Sequence, residues 1–150
     1  MPVTIGLFHA LRSAHGGLGF FTPIEVTSFP NSPSKFQVIK DVFKLQDSDE
    51  SMQGVTHTQA FKLIDCNKMD ELLEEVLKGT SSIDSKRAYE AYKAKHDFIV
   101  VEGASLKRAG DDATVLNTKI ASTLGLPVLM VINRCKEPSG CWRAEDSKVG

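Results

Sequence analysis

The chain has no excess of either charge: 18 Lys and Arg face 19 Asp and Glu, for a net charge of -1. That balance removes the long-range attraction that drives binding to nucleic acid or to an anionic bilayer. Lys35, Lys40, Lys93, Lys95, Lys107 and Arg108 lie scattered among acids and form no basic stripe. Cysteine is equally scarce. Cys66, Cys135 and Cys141 cannot all pair within one chain, and none stands in a C-x-x-C arrangement or beside a histidine at ligand spacing. They read as reduced thiols in a cytoplasmic protein, with an organelle as the alternative if a leader lies upstream. His9, His15, His57 and His96 are dispersed, so surface or helix-end positions are expected for them and no metal centre is expected. No apolar run approaches the roughly 20 residues that span a bilayer, and the first residues lack the pattern of a secretory signal. There is no G-x-x-x-x-G-K-[ST] phosphate loop. Gly16-Gly17-Leu18-Gly19 falls at a helix end, where the dipole has the wrong sign to hold phosphate.

What is present fits one α/β domain. At 150 residues, 41% hydrophobic and 25% charged, the chain can build a single sizeable core. Its most informative stretch is Asp97-Phe98-Ile99-Val100-Val101-Glu102-Gly103, followed by a helix and then Pro127-Val128-Leu129-Met130-Val131-Ile132. Short unbroken apolar runs of this kind predict strands buried on both faces of a parallel sheet. With a helix between them they form a crossover unit. Glu102 then projects from the carboxyl end of its strand, where such sheets bind ligands.

Helix and strand signals alternate elsewhere. Val3, Leu7, Ala10 and Leu11 make an apolar stripe closed by Gly16-Gly17, and Leu18 to Phe21 reads as a strand ended by Pro23. Ser32 and Pro33 are placed to open a helix with Phe36, Ile39 and Phe43 on one face. Thr56 and Gln59 have capping-box spacing before Phe61, Leu63 and Ile64. Met69, Leu72, Leu73, Val76 and Leu77 form a stripe that stops at Gly79. On that helix Glu71, Glu74 and Glu75 are expected on the solvent side. A helix from about Ser82 to Lys95 precedes the Asp97 strand, and Asp111 or Asp112 caps one bearing Leu116, Ile120 and Leu124. From Cys135 to Gly150 periodicity is lost, so the domain is expected over 1–133 with a polar tail over 134–150.

Six stretches, taken in order and spacing, resemble the amino-terminal domain of long-form phosphate acetyltransferases, itself similar to dethiobiotin synthase. They are Thr4 to Leu11, Gly19 to Ile24, Met52 to Thr56, Asp70 to Glu75, His96 to Gly103 and Leu116 to Ala121. The resemblance runs from about Thr4 to about Asn133. It implies a doubly wound, mostly parallel, P-loop NTPase-like sheet, here without the first strand and phosphate loop, which would precede Met1. Deleting that strand is expected to leave Leu18 to Phe21 and Phe98 to Val101 with open edges.

The same resemblance implies a regulatory or assembly role within an acetyl-transferring enzyme. Acetyl-CoA, CoA and phosphate would belong to the parent enzyme's separate carboxy-terminal domain, with homo-oligomers formed through that enzyme. No cofactor is expected for this chain itself. Glu102 with Gly103 is the carry-over to a cofactor site, beside a would-be metal and nucleotide. The plainer alternative pairs Glu102 with Lys107 or Arg108. Thr22 stands where relatives of this fold commonly carry a lysine before the proline, and it supplies no charge. An active ligase of the dethiobiotin synthase type and a ligand-free interaction domain are the competing readings.

Overall fold

The structure, a computed structural model, describes residues 2–25, 34–79, 88–104 and 113–131. Its elements are α1 (Pro2–Arg12), β1 (Leu18–Ile24), α2 (Lys35–Phe43), β2 (Gln53–Val55), α3 (His57–Asp65), α4 (Met69–Lys78), α5 (Tyr89–Lys93), β3 (Phe98–Val101) and α6 (Ala113–Leu124). The strands form one parallel sheet in the order β2-β1-β3. Side chains alternate across β1 and so divide the helices between its faces. Phe20 meets Phe8 of α1 and Phe36 of α2 edge-on at 6.2 and 6.1 Å. Phe21 meets Tyr89 and Tyr92 of α5 at 5.5 and 5.7 Å. Both faces are therefore covered, and all seven residues of β1 are buried. This is the doubly wound parallel arrangement.

Local chemistry explains the element boundaries. The hydroxyl of Ser34 accepts the Gln37 amide at 3.0 Å and starts α2, so the cap is Ser34 where the sequence pointed to Ser32. Phe36, Ile39 and Phe43 all face the core as their spacing predicts. The Thr56–Gln59 capping box is formed, and Gly79 ends α4 in the left-handed conformation. β1 runs on through Pro23 to Ile24. The Thr22 amide donates to Met52 at 2.9 Å on the β2 side, so the next residue's missing donor points toward β3, whose pairing ends at Val101. β2 is three residues long and too polar to announce itself in sequence. Its Gly54 is obligatory, because a Cβ there would collide with the Pro23 carbonyl oxygen.

Several expectations are corrected. Residues 127–131 form no strand, and Val128, Leu129, Met130 and Val131 are 58–69% exposed. An apolar run becomes a strand only beside a neighbour that supplies hydrogen-bond partners, and among the described residues β3 pairs with β1 alone. The Leu18 to Phe21 stretch is not an open edge, since β1 is central. Among the described residues Phe98 to Val101 has no neighbour on its other side, and Val100 alone of that strand is buried. Glu75 is buried rather than solvated, because α4 packs against β2, α3, α5 and α6 and keeps only a narrow exposed stripe. The helix before β3 is described only over Tyr89–Lys93. Ser32, Pro33, Lys107, Arg108, Asp111, Asp112, Cys135, Cys141 and the 134–150 tail lie outside the described residues.

Candidate functional site at the carboxyl end of β3

The β1–β3 register ends at Phe21 opposite Val101, and the Glu102 amide donates to Phe21 at 3.0 Å. Glu102 thus stands one step beyond the ladder, at the carboxyl end of the sheet, as its sequence position predicts. Its side chain lies on the face covered by α1 and α2. Lys35 Nζ contacts Oε1 at 2.6 Å, and the Thr4 hydroxyl donates to Oε2 at 3.3 Å. Thr4 is in the first turn of α1 and Lys35 is the first residue of α2. Two helix amino termini therefore converge on one strand end. Their positive dipoles favour the Glu102 carboxylate and disfavour an isolated lysine, so the contact offsets the cost of Lys35 in that position. With the side chains 21% and 27% exposed, such a pair contributes about 1 kcal/mol.

Gly103 and its surroundings fix the chain just after the carboxylate. A Cβ on Gly103 would approach Asn117 Oδ1 to 2.9 Å. The Asn117 amide accepts from the Ala104 N–H at 2.7 Å and donates to the Ala104 carbonyl at 2.9 Å. Thr4, Lys35 and Asn117 are the members of this site that sequence reasoning missed. Asn117 sits on the half-buried flank of α6, whose apolar stripe drew attention elsewhere, and Lys35 lies 67 residues from its partner. Thr22 is sealed at 2% exposure, and its hydroxyl has no partner among the described residues. Among the described residues, Lys35 places a cation at this end of the sheet.

This donor set does not suit a hydrated divalent cation. Both Glu102 oxygens are already engaged, one by an ammonium, and among the described residues no group of three His, Cys, Asp or Glu side chains is placed to hold a metal. Gly103 packs against the Asn117 side-chain amide.

A second polar cluster lies at the opposite end of the sheet. His96 is a helix-end histidine just after α5, its amide donating to the Lys93 carbonyl at 3.3 Å, and its Nε2 lies 3.2 Å from Asp47 Oδ1, with side-chain exposures of 12% and 15%. The Tyr92 hydroxyl accepts the Phe20 amide at 3.1 Å and satisfies β1 where β2 does not reach. Burial, reinforced by Asp47, pushes the Tyr92 phenol well above its ordinary range, against the opposing pull of the Phe20 amide. Burial also raises Tyr89. Between α3 and α4 a cleft of about 410 Å³ opens beside Val55, lined by Gln59, Lys62, Cys66, Lys68 and Glu71 among others. Glu102 is not part of it.

A sequence profile described as an AAA domain, AAA_26, matches residues 2–137. The chain belongs to this family. AAA_26 domains are P-loop NTPase-like and occur in dethiobiotin synthase-like proteins, which accords with the parallel sheet and its two helical layers. No curated protein and no solved structure gives a significant match. Among the described residues no helix of this AAA_26 chain is long and apolar enough to cross a membrane.

Proposed function

We propose that this AAA_26 chain serves as the amino-terminal regulatory and assembly domain of a phosphate acetyltransferase and does not itself catalyse acetyl transfer. The observation that supports this reading best is the engaged state of Glu102. A carboxylate held by Lys35 and Thr4 is committed to joining β3 to α1 and α2, whereas a working phosphoryl-transfer site keeps its carboxylate for a metal and needs a row of amides for the phosphates. In this reading acetyl-CoA, CoA and phosphate are handled by a separate domain of the parent enzyme, and oligomers form through that enzyme. The six stretches that resemble long-form phosphate acetyltransferases are what favours that parent, in this reading, over a ligase of the dethiobiotin synthase type.

The test is an acetyl phosphate and CoA turnover assay on the purified chain, alone and mixed with the catalytic domain of a phosphate acetyltransferase. No turnover alone, with altered assembly or rate of the catalytic domain in the mixture, is the expected result. Turnover that follows the chain through repurification, or a mixture identical to the sum of its parts, would remove the proposal.

A further inference from the structure

We draw no further inference here: the strongest candidate, the cleft between α3 and α4 lined by Lys62, Cys66 and Lys68, rests on a lone exposed cysteine, and nothing among the described residues points to a ligand for it.

Discussion

The side-chain amide of Asn117 closes a two-bond ring with the backbone of Ala104, accepting at 2.7 Å and donating at 2.9 Å. A helix side chain thereby does for the segment after β3 what a neighbouring strand would otherwise do, and it holds Glu102 and Gly103 in place. Asn117→Ala should lower stability by about 1–3 kcal/mol, because two part-buried backbone groups lose their partner. Gly103→Ala should be costly in the native protein, where its Cβ meets Asn117 Oδ1, and much cheaper once Asn117 is Ala. Urea denaturation of the four proteins of this cycle measures the coupling. Additive effects would show that the two residues do not constrain one another.

The Lys35–Glu102 contact joins the first turn of α2 to the end of β3. A double-mutant cycle with Lys35→Met and Glu102→Gln should give a coupling of about 1 kcal/mol in low salt that shrinks in 1 M salt. A coupling indistinguishable from zero would mean that Glu102 is free for a ligand.

Tyr92 sets the alkaline limit of the fold. Its phenol and that of Tyr89 are raised by burial, so the folded state holds protons that the unfolded state releases near pH 10. Stability is then fully present below about pH 10 and falls as pH rises beyond it. Chemical denaturation from pH 8 to 11 should show this decline, and absorbance at 295 nm should report tyrosinate only as the protein unfolds. Tyr92→Phe should weaken the decline. It should also cost about 1–3 kcal/mol at neutral pH, because the Phe20 amide loses its acceptor.

Gly54→Ala should prevent stable pairing of β1 with β2. The added methyl would meet the Pro23 backbone oxygen, which cannot swing aside as a flexible side chain would. Loss of the cooperative thermal transition, or a fall of several kcal/mol in unfolding free energy, is expected. A variant that melts like the wild type would show that the two strands can separate locally without cost.

The elements with helical periodicity were legible in the sequence because their apolar residues recur on one face: Phe36, Ile39 and Phe43 in α2, Leu72 and Val76 in α4, and Leu116, Ile120 and Leu124 in α6 are buried as spaced. Strand pairing was less so. Gln53-Gly54-Val55 becomes a strand through contact with β1, and Pro127 to Val131 is an apolar run that pairs with no strand among the described residues. Of the site, Glu102 was visible as the acid that ends an apolar run. Lys35, Thr4 and Asn117 were not, because they reach Glu102 and its neighbours by long-range packing of α1, α2 and α6 that no local pattern records. Glu75 was misjudged for the same reason, since its burial depends on the elements packed against α4.

Isothermal titration of the 150-residue chain with magnesium ATP up to millimolar concentration asks most directly whether Glu102 is committed to structure. With both carboxylate oxygens engaged by Lys35 and Thr4, no saturable heat is predicted for the wild type, and Glu102→Gln should titrate identically. Saturable binding by the wild type that disappears in Glu102→Gln would contradict a structural, non-catalytic role for this carboxylate.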